Sequence, residues 1–149
     1  MKKLIFIGAL ISLLTSSHLV WGASEHAQHG KDGKAHEEVI DGVKATFTVQ
    51  TMAAAMKAMG MEMPKGVKET HHLSIAFSDV KTGKSLTEGE VKVKLQLPDK
   101  SAQEKSMQGM HGHFGADFVM SAKGKYGVMC KFVLKDGKVR SSKFWYEVK

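Results

Sequence analysis

Two thioethers and two imidazoles fall within seven residues in the stretch Met107-Gln108-Gly109-Met110-His111-Gly112-His113. Together these groups form a ligand set suited to monovalent copper, and the two glycines give the backbone freedom to bring the donors together. A second group lies upstream, where Met52, Met56, Met59, Met61 and Met63 precede the pair His71-His72. Beyond an apparent signal segment, nine Met stand against five Leu. A flexible thioether specifies a packed core less well than Leu does, so the excess calls for another use. Copper is the expected ion. Met110, His111 and His113 are the first-choice ligands, Met107 and His72 the next, and Met56, Met59 and Met63 additional donors.

Packing uses compete with each of these assignments. The upstream methionines could form a short lid over one end of the core, or an adaptable surface for a protein partner. His71 shares its alternation with Leu73 and Ile75 and could cap the core, whereas His72 faces outward.

Other chemistry is not written in the chain. It has no Gly-x-Ser-x-Gly, His-Glu-x-x-His or Cys-x-x-Cys motif and no phosphate-cradling glycine loop, so we expect no enzyme. Carboxylates do not cluster as a calcium or magnesium site would require. The single Cys130 sits in the alternating run Val128, Cys130, Phe132, Leu134, which reads as a buried thiol rather than a nucleophile.

Lys2 and Lys3 followed by the apolar run Leu4 to Leu14 read as a secretory signal covering residues 1–22, cut after Gly22 and too short to span a membrane. No Cys follows to carry a lipid. Removing those two lysines lowers the net charge from +7 to +5, and the remaining Lys are spread out, which argues against a nucleic-acid stripe. Residues 23–36 carry His26, His29 and His36 but no large apolar side chain, and they read as a disordered tail. The expected location is periplasmic or extracellular, with one domain over residues 37–149.

The elements that must position the donors have period two. Val43, Ala45, Phe47 and Val49 mark one strand, Leu73, Ile75 and Phe77 another, and Val91, Val93, Leu95 and Leu97 a third. Phe114, Phe118 and Met120, the Val128 run, and Phe144, Tyr146 and Val148 supply three more, with a weak seventh at 103–107. Six or seven strands separated by turn dipeptides predict an all-β, immunoglobulin-like antiparallel sandwich. Gly124-Lys125-Tyr126 has the spacing of a corner tyrosine. One helix of two or three turns, placing Met52, Met56, Met59 and Met63 on one face, is expected between the first two strands, ended by Gly60 and Pro64. If 103–107 is loop, His72 and the 110–113 cluster share an end of the sandwich; if it is strand, they lie at opposite ends. We expect the shared end.

His71-His72-Leu73, the Thr82-Gly83-Lys84 turn, the strand Glu90 to Val93 leading to Pro98-Asp99, and Gly115-Ala116-Asp117-Phe118 followed by Gly124-Lys125-Tyr126 resemble the YtkA-like domain family, related to FixH-type proteins, over residues 39–149. The resemblance implies an exported immunoglobulin-like sandwich in a group associated with copper handling or respiratory oxidase assembly. It implies no defined ligand set, and this chain lacks the membrane anchor of FixH-type members. Two functions follow as expectations. The first is a periplasmic protein that binds, buffers or transfers copper. The second is a metal-free module whose Met-rich helix docks on a periplasmic or inner-membrane protein, in respiratory complex assembly for example.

Overall fold

The computed structural model describes residues 33–149. The strands are β1 (Lys34–Ile40), β2 (Val43–Thr51), β3 (His71–Asp79), β4 (Ser85–Leu86), β5 (Gly89–Gln96), β6 (Ala102–Ser106), β7 (Gln108–Met110), β8 (His113–Phe118), β9 (Gly124–Leu134) and β10 (Val139–Val148), and α1 (Met52–Ala58) follows β2. They form two antiparallel sheets: β1-β2-β3-β8-β7, with β4 also paired to β3, and β10-β9-β5-β6. The expected all-β sandwich with one short helix is the fold observed.

Alternation builds the core. Phe47, Ile75, Phe77, Phe114 and Phe118 from the first sheet meet Val93, Leu95, Val128, Cys130 and Phe132 from the second, all buried. Phe77 bridges the layers, with ring centroids 4.5 Å from Phe132 and 5.7 Å from Phe114. Tyr126 is wholly buried, and its O–H donates to the Ala122 carbonyl at 2.8 Å. This is the corner tyrosine that the spacing predicts. Cys130 is buried as expected, and burial pushes its thiol up to about 12.

Three strands escape the period-two reading. The first, β1, begins at Lys34 inside the stretch expected to be tail, and His36 stacks on Phe144 at 4.6 Å. Residues 34–36 are therefore part of the sandwich, because an imidazole supplies the aromatic surface that the sequence KAHEEVI otherwise lacks. The expected signal segment and the rest of the tail lie outside the described residues. Among the described residues no helix is long and apolar enough to cross a membrane. The other two strands, β4 and β7, are two and three residues long, too short to show a period.

The stretch at 103–107 is strand, not loop. β6 pairs with β5 from Ala102 to Ser106, and the chain then crosses to the other sheet at Met107, whose N–H donates to the Val91 carbonyl at 2.8 Å. Met107 is only 6 % exposed and belongs to the core. It fills the corner where the chain changes sheets, a gap that a flexible side chain suits.

The helix is also shorter than its methionine spacing suggests. Thr51 caps it by accepting the Ala54 N–H on Oγ1 at 3.2 Å. Gly60, at φ +67°, closes it with two bonds, Gly60 N–H to the Lys57 carbonyl at 3.1 Å and Met61 N–H to the Met56 carbonyl at 2.9 Å, a Schellman arrangement. Met59 is the C-cap and Met63 lies beyond it, so the single helical face shared by Met52, Met56, Met59 and Met63 is not formed.

Candidate metal site

The 110–113 stretch is a tight hairpin. Met110 pairs with His113 across it, and His111 (φ +42°) and Gly112 (φ +87°) form the two-residue turn. Positive φ at both central residues is the hairpin geometry that matches strand twist. This explains Gly112, and it places His111 at an exposed tip rather than in a folded-back loop.

Register decides which donors meet. His72 lies opposite Asp117, and Ser74 lies opposite Gly115. Gly115 also pairs with Gln108 of β7. Since Leu73, Ile75, Phe114 and Phe118 fill the core, alternation puts His72, Met110, His113, Gly115 and Asp117 together on the outer face of this sheet. His72 and His113 are at opposite ends of the overlap between β3 and β8. The shared end is thus corrected, for the reason foreseen: 103–107 forms a strand. What the two clusters share is a face.

On that face Gly115 is a window. A Cβ there would sit 2.8 Å from His72 Cε1, 2.9 Å from His72 Nε2 and 3.2 Å from Met110 Cε. The imidazole and the thioether methyl therefore lean over the same bare backbone from opposite sides. Any side chain at 115 would push them away. Met110 is 37 % exposed, whereas the His72 side chain is 19 % exposed, so both side chains are within reach of solvent.

The two neighbouring imidazoles are set up differently. His72 Nδ1 is 2.6 Å from Asp117 Oδ1, and because a carboxylate only accepts, Nδ1 carries the proton of this bond, while Nε2 lies over Gly115, where the Met110 methyl also approaches. A carboxylate behind an imidazole is the usual way a metal-ligating His is fixed in tautomer and made more basic. The carbonyl of Asp117 in turn accepts from Lys105 Nζ at 2.6 Å, and Lys105 lies 3.5 Å from Glu69. His71, by contrast, bonds through Nδ1 to the Thr70 hydroxyl at 2.8 Å, and that oxygen also accepts the Met120 N–H at 2.8 Å. Burial holds the His71 imidazole below its usual range. These bonds tie His71 to the Thr70–Met120 end of the sandwich, in line with the capping use that its alternation allows.

The remaining methionines expected as donors are placed differently. Met107 is in the core. Met56 is half-buried on α1, and Met59 and Met63 are exposed on the segment after it. Among the described residues, no group of three or more His, Cys, Asp and Glu comes together as a metal site would; the convergence seen is of nitrogen with thioether. Asp117 and Gly115 are site residues that spacing and composition do not mark. Their alternation with His113 was visible, but their pairing with His72, across 45 residues of chain, was not.

No family model and no curated protein matches the sequence. The fold, however, is that of solved structures. A DUF4426 family protein from Pseudomonas aeruginosa matches with a TM-score of 0.58 at 13% identity, covering 80% of this chain and 97% of that one. A copper-bound variant of Campylobacter jejuni P19 matches with a TM-score of 0.57 at 11% identity, covering 78% of this chain and 96% of that one. At these identities the likeness defines the architecture, a β-sandwich domain spanning nearly the whole of each neighbour.

Proposed function

We propose that this chain is an exported, YtkA-like copper-binding protein that holds the ion without transforming a substrate, and buffers it or passes it on. His72 Nε2 and the Met110 thioether are the primary donors. Asp117 positions His72, and His113, directly across from Met110, with His111 at the turn, are the nearest imidazoles able to complete the set. The observation that carries this reading is the meeting of His72 and Met110 over Gly115, with Asp117 holding the other imidazole nitrogen. Nitrogen with neutral sulfur favours monovalent copper over calcium, magnesium or zinc, which take oxygen ligands or several anionic and imidazole ligands. That a sandwich of the same fold is copper-bound in P19 supports the reading coarsely.

The test is a competition titration of the mature protein with monovalent copper under reducing conditions. A variant carrying His72→Ala and Met110→Leu should bind at least tenfold more weakly at pH 7. Unchanged affinity would remove this face from the account and leave the alternative, a metal-free interaction module, as the better reading.

A further inference from the structure

Three methionines alternate in the five residues Met59-Gly60-Met61-Glu62-Met63, and all three are exposed, by 61 %, 55 % and 43 %. The other exposed large hydrophobic side chains among the described residues, Met110, Trp145 and four Val, are scattered along the chain. Among the described residues, the exposed large hydrophobic side chains include no Leu, Ile or Phe, although those types fill the core. Surface apolar contact alone would not select a thioether that oxidation converts to a polar sulfoxide.

All three lie on one short connection. The Schellman closure ends α1 at Met59 and turns the chain at Gly60, and residues 61–64 then run without helix or strand to Pro64. Within it Met61 and Met63 are separated by one residue, and both are exposed. Both ends of the segment are pinned: Met52 N–H donates to the Thr70 carbonyl at 2.8 Å, and Thr70 N–H donates to the Phe118 carbonyl at 3.0 Å. Rearrangement of the tip therefore leaves the sandwich intact, and the entropy lost on closing so short a span is small.

We propose that Met59, Met61 and Met63 form a second metal site, made only of thioethers and selective for a soft monovalent cation. It is separate from the His72–Met110 pair and does not depend on it. Neutral sulfur donors give no purchase to calcium or magnesium. They also carry no ionisable proton, so this site keeps its donors in acid, where imidazole is protonated and lost as a ligand. That difference separates the two sites experimentally.

The experiment uses the full mature chain and silver(I), a redox-inert monovalent probe, with stoichiometry read by native mass spectrometry and calorimetry at pH 7 and pH 4.5. The expected result at pH 4.5 is one retained equivalent, lost or weakened at least tenfold in the variant carrying Met59→Leu, Met61→Leu and Met63→Leu. The swaps preserve volume, and an unchanged thermal midpoint would show that the variant is folded. The His72→Ala, Met110→Leu variant should keep the acid-stable equivalent at both pH values while losing the second equivalent that the wild type binds at pH 7, so failure of either site is visible alone. No stoichiometric binding at pH 4.5, or binding that survives in the triple variant, would overturn the proposal.

Discussion

Asp117 Oδ1 accepts the Nδ1 proton of His72 at 2.6 Å, and this bond distinguishes His72 from its neighbour His71. Removing it should release the ring. Asp117→Ala is expected to weaken copper binding tenfold to a hundredfold, the range for outer carboxylates behind ligating imidazoles. Competition titration against a chelator of known affinity measures it. An affinity within twofold of wild type would show that the carboxylate does not position a ligand.

Gly115 gives a steric test of the same face. Its φ is not in the left-handed region, so Ala there brings no backbone strain, only a methyl 2.8 Å from the His72 ring and 3.2 Å from the Met110 methyl. Both are ends of side chains and will shift. Gly115→Ala should therefore lower copper affinity at least tenfold while moving the thermal midpoint little. A large loss of stability with unchanged affinity would assign the glycine to packing alone.

Much of this was legible beforehand and some was not, for physical reasons. The strands around Val43, Leu73, Val91, Phe114, Val128 and Phe144 show in the sequence because each buries one face, and Tyr126 marked its corner by spacing. β7 is too short to have a period, and Met107 read as a loop donor because a residue at a change of sheet belongs to neither alternation. His72 facing outward followed from parity. Its meeting with Met110 required the register of β3, β8 and β7 together, which composition and spacing do not contain.

Thr70 is predicted to matter for stability and not for copper. Its oxygen accepts the Met120 N–H and bonds His71, both at 2.8 Å. Thr70→Val leaves a backbone donor and an imidazole nitrogen unpaired in a part-buried setting, at a cost of about 1–3 kcal/mol. Chemical denaturation should show that loss with copper affinity unchanged. Weakened binding would instead tie His71 to the site.

Acid behaviour should report on the far end of the molecule. Asp136 is held down at about 2, from 3.8, chiefly by hydrogen bonds from Arg140 and also by the Lys138 N–H. Because the folded value is depressed, its contribution is complete above the unfolded value near 4 and is lost as pH falls toward 2. The stability difference between wild type and Asp136→Asn should therefore shrink over that window. A difference independent of pH down to 2 would show that the charge on Asp136 is not what Arg140 reads.

The most direct test of the central claim is X-ray absorption on the Met59→Leu, Met61→Leu, Met63→Leu protein loaded with one equivalent of monovalent copper at pH 7. The account predicts nitrogen and sulfur scatterers together in the first shell, with the sulfur lost on adding Met110→Leu and nitrogen reduced on adding His72→Ala. A first shell without sulfur, or one unaltered by both substitutions, would contradict it.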